Sequence, residues 1–217
     1  MPPIDALYWG PASKSTPKQL VVLCHGIGAD AHDLYELAPE WGAAVPDALF
    51  ASVNAPHPHP SGFGRQWWDV GDRSPAIMEA GVRGAALALD QFLDSELARL
   101  GLPADAYALM GFSQGAMTVL FTGLRRAVAP RAILAFSGAL LVPESLQREL
   151  RNKAPVLLVH GEADETVPAG RSRDAESALQ AAGVPVESSF IPGLGHGIDD
   201  TGLALGRLAL QRAFGVA

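Results

Sequence analysis

The sequence has a single cysteine, Cys24, so no internal disulfide can form, and its place after Val22 and Leu23 suits a small buried hydrophobe better than a reactive thiol. It has no long hydrophobic run. Gly, Pro or a charge interrupts every apolar stretch well before the roughly 18 residues that a membrane-spanning helix requires. It also lacks a basic cluster: 16 Lys and Arg are scattered among 23 Asp and Glu, for a formal charge of -7. Such a balance disfavours nucleic acid and anionic membrane surfaces as partners. The opening Met1-Pro2-Pro3-Ile4-Asp5 lacks the basic-then-apolar pattern of a secretory signal. A soluble, cytoplasmic protein without stable membrane insertion is the expectation, and no internal repeat or low-complexity tract argues otherwise.

What is present is enough apolar material for one sizeable core. With 217 residues, 48% of them hydrophobic, a single domain over 1–217 is expected. Short β-rich runs alternate with stretches of helical periodicity, which predicts an α/β fold with a mainly parallel sheet and helices on both faces. Predicted strands cover 20–24, 49–53, 107–110, 132–136, 156–159 and 186–191, and predicted helices 33–44, 82–100, 114–126, 170–182 and 203–214. Val82, Ala86, Leu89, Leu93, Leu97 and Leu100 make the clearest helical stripe. One long stretch, 54–68, carries Pro56, Pro58, Pro60, Gly62 and Gly64, a composition opposed to both helix and sheet.

Chemistry enters at Gly111-Phe112-Ser113-Gln114-Gly115, between a predicted strand and a predicted helix. In that setting Gly-x-Ser-x-Gly is a nucleophile elbow: small flanking residues let strand and helix pack closely while the serine sits at a strained apex. The following helix N-terminus favours developing negative charge there. A serine hydroxyl needs a base to take its proton and a carboxylate to orient that base. The strand at 156–159 runs into His160-Gly161-Glu162-Ala163-Asp164-Glu165, where Asp164 is the choice of acid over Glu162 and Glu165. His160 reads as a structural hydrogen-bonding residue, with no catalytic role. The last predicted strand runs into Gly193-Leu194-Gly195-His196, and His196 is the choice of base. The tetrahedral intermediate needs two donors, for which the backbone N–H of Gln114 and of Ile27, in the turn His25-Gly26-Ile27-Gly28, are placed after the appropriate strands.

His57 and His59 lack further ligands at metal-binding spacing, so no metal is expected and the pair reads as a solvated loop. Trp67 and Trp68 are candidates for substrate contact, or for closing the core beneath the long loop.

These segments together resemble the phospholipase/carboxylesterase family of α/β-hydrolases. Carrying the resemblance are Leu23-Cys24-His25-Gly26-Ile27-Gly28, Asn54-Ala55-Pro56, Trp67-Trp68-Asp69, Gly111 to Ala116, His160-Gly161 with Asp164 and Val167-Pro168, and Gly193-Leu194-Gly195-His196. The order Ser113, Asp164, His196 is that of α/β-hydrolases. The resemblance implies this triad, the Ile27 and Gln114 amides as oxyanion hole, no cofactor and no inserted cap domain. Departures are Ala116, where the family often has a further glycine, and Trp68, where it often has phenylalanine. The long loop is expected to line the acyl groove. The implied reaction is hydrolysis of carboxylic esters, with thioesters of acylated proteins and lysophospholipids as alternatives, on a small-molecule or lipid acyl substrate. A homodimer is compatible with the sequence without being derivable from it. A non-catalytic binding protein would have no need of all three triad residues, and a dienelactone-type hydrolase would carry cysteine where Ser113 stands.

Overall fold

In the computed structural model, which describes residues 4–216, alternate residues of the central strands face two separate layers. Strand β2 (Gln19–Cys24) sends Leu20, Val22 and Cys24 into one apolar cluster and Val21 and Leu23 into the other. Period-two alternation with both sides apolar is how a strand buried on two faces reads, and it is why these runs are continuous rather than alternating in polarity. Seven strands form one sheet in the order β1-β3-β2-β6-β7-β8-β9. The others are β1 (Ala6–Trp9), β3 (Ala48–Val53), β6 (Tyr107–Phe112), β7 (Ile133–Phe136), β8 (Val156–Gly161) and β9 (Val186–Ile191). All pairings are parallel except that of β1 with β3.

Helices cover both faces. On one side α3 (Pro75–Leu100), α4 (Gln114–Arg125), the four-residue α5 (Leu146–Glu149) and α6 (Gly170–Ala181) pack on the sheet. On the other lie α1 (Ala31–Tyr35), α2 (Leu37–Ala44) and α7 (Asp200–Phe214), with Trp41 of α2 fully buried and donating from Nε1 to the Leu203 carbonyl. Among the described residues no helix is long and apolar enough to cross a membrane.

The six predicted strands are all present, and three differences concern the rest. The helix expected over 33–44 is two helices that meet at Glu36. Pro39 explains the break, because it has no N–H to give the Tyr35 carbonyl and its ring crowds that turn. Helix α3 begins at Pro75, seven residues before the apolar stripe at Val82, its first turns lying in solvent with Pro75 in the first helical position. Strand β1, a half-exposed edge of four residues, the short helix α5, and the two-residue pair β4 (His57–Pro58) with β5 (Arg65–Gln66) inside the long loop escape the sequence reading. The segment Met1-Pro2-Pro3 lies outside the described residues.

Between β2 and β6 the sheet order reverses direction: from β2 the chain steps outward to β3, which pairs with the earlier β1, and then crosses back to lay down β6, β7, β8 and β9 on the other side. Loops at the carboxyl ends of strands flanking such a point open a crevice. The turn after β2 and the turn after β6 lie side by side there, with Cys24 in register with Gly111.

Candidate active site

Ser113 stands at the end of β6 with φ 54° and ψ -116°, a conformation rare for any residue but glycine. Its N–H donates to the Phe136 carbonyl of β7 at 2.9 Å, so the turn is pinned to the neighbouring strand. Both glycines of the pentapeptide are sterically required. A Cβ on Gly115 would lie 1.9 Å from the Cys24 carbonyl oxygen, and one on Gly111 2.3 Å from that of Gly115. Ala116, the departure noted in the sequence, fits because Gly138 stands opposite it, where a Cβ would come within 2.5 Å of the Ala116 methyl.

Asp164 and His196 meet as the sequence reading expects. His196 Nδ1 lies 2.7 Å from Asp164 Oδ2, so the hydrogen sits on Nδ1 and Nε2 is left as the acceptor. The other carboxylate oxygen, Oδ1, accepts the N–H of Thr166 and of Val167, both at 2.9 Å. Burial pushes the Asp164 carboxyl up, but His196 and these two N–H donors outweigh it and hold the group below the ordinary carboxylate range. Asp164 is therefore an anion when His196 needs one. The His196 ring packs against that of Phe112, the residue before Ser113, at 4.8 Å between centroids. Among the described residues the Ser113 hydroxyl has no hydrogen-bond partner, so no Ser113–His196 bond is formed, and it is the ring of Phe112, the neighbour of Ser113, that brings the elbow against His196. Glu162 pairs with Arg173 at the surface, away from His196.

The turn after β2 lies directly on the serine: a Cβ on Gly26 would come within 3.2 Å of the Ser113 Cβ. Neither the Ile27 N–H nor the Gln114 N–H has an acceptor among the described residues; Gln114 directly follows Ser113, and Ile27 directly follows the Gly26 that lies against it. Gly28, with φ 81°, turns the chain back, and its N–H donates to the Arg65 carbonyl at 2.8 Å while Arg65 N–H donates to that of Ala29 at 2.7 Å. The long loop thus clamps this turn. His25, wholly buried, ties the same parts together: its Nε2 accepts the Ala55 N–H at 3.0 Å, its Nδ1 faces the Gly26 carbonyl at 2.6 Å, and its own carbonyl accepts from Trp67 Nε1 at 2.9 Å. Burial lowers the pKa of His25, and its neutral form is the one these partners require.

Trp67 and Trp68 require a correction. They are buried in the main core, 1% and 5% exposed, and neither lines the cavity beside Met117. The Gln114 side chain holds the pair, accepting the Trp67 N–H at 2.8 Å and donating to the Trp68 carbonyl at 2.9 Å. Nothing in the sequence distinguishes Gln114's side chain, since the motif leaves that position free. The long loop is corrected in the same way: it braces the turn after β2, and the cavity of about 690 Å³ that borders the site has other walls. Met117, one turn after Ser113, stands on one side, with Ala76 and Met78 at the start of α3, Leu140 to Val142 after β7, and Val167 beside Asp164. Val142 holds φ 54°, an outlier for a β-branched residue, at this wall. His59 bonds to Ser61 in an exposed turn, and among the described residues no three His, Cys, Asp or Glu could hold a metal ion together.

A parallel sheet with a reversal point, a strained serine between strand and helix, and an Asp–His pair on the next loops define an α/β-hydrolase. The phospholipase/carboxylesterase family model matches residues 11–207. The chain is 30% identical to Esterase YpfH of Escherichia coli strain K12 over 183 residues, 84% of this chain and 78% of that protein. It is 26% identical to Acyl-protein thioesterase 1 of Neurospora crassa over 194 residues, 81% and 79% of the two. The crystal structure of esterase PE8 superposes with a TM-score of 0.92 at 37% identity, covering 97% of this chain and 99% of that one. The chain belongs to the phospholipase/carboxylesterase family, and its enzyme class is that of carboxylic-ester hydrolases.

Proposed function

We propose that the chain is a serine carboxylesterase of a single domain, acting through an acyl-enzyme on Ser113. The single observation that carries the residue assignment is the 2.7 Å contact of His196 Nδ1 with Asp164 Oδ2, which leaves the basic Nε2 lone pair free on a ring that packs against Phe112, the neighbour of Ser113. In the reaction the Ser113 hydroxyl rotates onto Nε2, His196 takes its proton, and Oγ bonds to the acyl carbon. The oxyanion falls between the free N–H groups of Ile27 and Gln114. His196 then returns the proton to the leaving alcohol or thiol as the C–O or C–S bond breaks. Water repeats the cycle and releases the acid.

The cavity beside Met117 is the acyl-binding wall on this reading. Its floor of Met78, Met117, Leu140 and Leu141 suits an acyl chain, and the similarity to a thioesterase supports counting thioesters, including acylated proteins, among the substrates. The working location is the cytoplasm. A fluorophosphonate probe tests the nucleophile: it should label the wild type and leave Ser113→Ala unlabelled, with esterase activity falling by about 10⁴-fold or more. Equal labelling of both proteins, or of neither, overturns the assignment. Hydrolysis of p-nitrophenyl esters from acetyl to palmitoyl, beside an S-palmitoylated peptide, tests the substrate. Activity confined to acetyl and butyryl esters would end the acylated-protein reading.

A further inference from the structure

Asp164 Oδ2 is shared by two imidazoles. Besides His196, His160 Nε2 lies 3.1 Å from it, and the two side chains of this second contact are fully buried. His160 is the fifth residue of β8, opposite Phe190 of β9, so the sheet itself sets its position. Its Nε2 also faces the Val167 carbonyl at 2.7 Å. With two acceptors in front of it, Nε2 carries the hydrogen. On the far side of the ring, Nδ1 meets Ser172 Oγ of α6 at 2.7 Å, and Ser172 Oγ lies 3.1 Å from the Gly138 carbonyl. A line of buried contacts therefore runs from α6 through Ser172, His160 and Asp164 to His196.

The carboxylate is rigid, so the two backbone N–H groups on Oδ1 fix its rotation as well as that oxygen. On Oδ2 the donors are His196 Nδ1 and His160 Nε2, and of these two only His160 is mounted on a strand of the sheet, β8. We propose that His160 is a positioning residue for acyl transfer, its Nε2–H shared between the Val167 carbonyl and Asp164 Oδ2 and so fixing the Asp164 loop where His196 Nδ1 meets the carboxylate. The inference rests on the Ser113–His196–Asp164 reading. Misplacement of a catalytic group by about 1 Å can cost 10²-fold in rate, which sets the scale of the effect.

Two variants separate positioning from filling space. His160→Met keeps an apolar side chain of similar reach without a donor, whereas His160→Gln places an N–H where Nε2 stood. Both lose the ring and its contact with Ser172, so a purely structural role would impair them alike. The expected result, measured on folded protein below its melting temperature, is a kcat for His160→Met lower by about 10–100-fold with KM within about two-fold. His160→Gln should recover to within about five-fold of wild type. Equal kcat in the two variants, whether both wild-type or both depressed, overturns the proposal. Should neither variant fold, Ser172→Ala leaves the imidazole in place and frees its far side. A kcat lower by about two- to five-fold at unchanged KM supports the proposal, and an unchanged kcat overturns it. Loss of activity in Ser113→Ala, measured alongside, keeps the two readings apart: it upholds the nucleophile even where the His160 variants defeat this inference.

Discussion

On the side of the cleft that holds the turn after β2, backbone lies against backbone: a Cβ on Gly115 would collide with the Cys24 carbonyl, and one on Gly64 would come within 2.0 Å of the Gly28 carbonyl oxygen. Buried hydrogen bonds from His25, Trp67 and Gln114 close the remaining gaps. The opposite wall, around the cavity, is made of side chains contributed by four separate segments, and ion pairs brace it. Glu149 of α5 receives Arg83 of α3 and Arg125 of α4, each at 2.8 Å, just past the Leu140–Val142 stretch. The difference separates two demands. On the proposed mechanism an oxyanion tolerates displacements of only a few tenths of an ångström, which a locked wall provides, while a wall that faced the acyl chain could exchange side chains without disturbing the turn.

The sharpest way to break the locked wall is to remove a donor. Ile27→Pro deletes the N–H itself, and kcat should fall by about 10²–10³-fold with a smaller change in KM, read from steady-state hydrolysis of a short p-nitrophenyl ester. A kcat within about three-fold of wild type would remove Ile27 from the oxyanion hole. Next in size is Gln114→Ala, which strands the Trp67 N–H and the Trp68 carbonyl in the core. Each abandoned group costs about 1–3 kcal/mol, so the melting temperature should drop by roughly 4–24 °C, visible by calorimetry. A melt unchanged by this substitution would mean that the clamp is idle.

Chemistry was more legible in this sequence than shape. A nucleophile elbow demands glycines within a few residues of the serine, and strand-end loops carry their acid and base in chain order, so local patterns nominate Ser113, Asp164 and His196, of which the structure joins the last two and strains the first. Trp67 and Trp68 could not. A tryptophan next to a mobile-looking Pro/Gly loop has the same sequence signature whether it touches a substrate or seals a core, and the decision lies with Gln114, 46 residues further on. The cavity was equally hidden because its walls come from residues near 76, 117, 141 and 167, whose meeting depends on the whole sheet order. Pro39 is the opposite case: its effect on the helix over 33–44 was local, and the proline rule could have placed the break.

The exchangeable wall can be probed by filling it. Met117→Trp adds bulk into the cavity one turn away from Ser113 without touching the turn after β2. Here kcat/KM for decanoyl and longer esters should fall by about 10-fold, while that for acetyl ester stays within about two-fold. A uniform loss across chain lengths would place the acyl chain elsewhere.

The smallest expected effect concerns what braces that wall. Arg83 and Arg125 hold the Glu149 carboxyl down at about 2, from an ordinary 4.5. A group depressed in the folded state contributes stability that is fully present above its unfolded value and is lost as pH falls through its folded value. Wild-type protein should therefore lose melting temperature between about pH 4.5 and pH 2 more steeply than Glu149→Gln, which has no such proton to take up. Because the pair is partly open to solvent, the extra loss should be only about 2–4 °C across the window, and it should shrink in high salt. Parallel curves for the two proteins would show that the side-chain wall is held by packing alone, and the contrast with the hydrogen-bonded wall would then lie in exchangeability rather than in electrostatics.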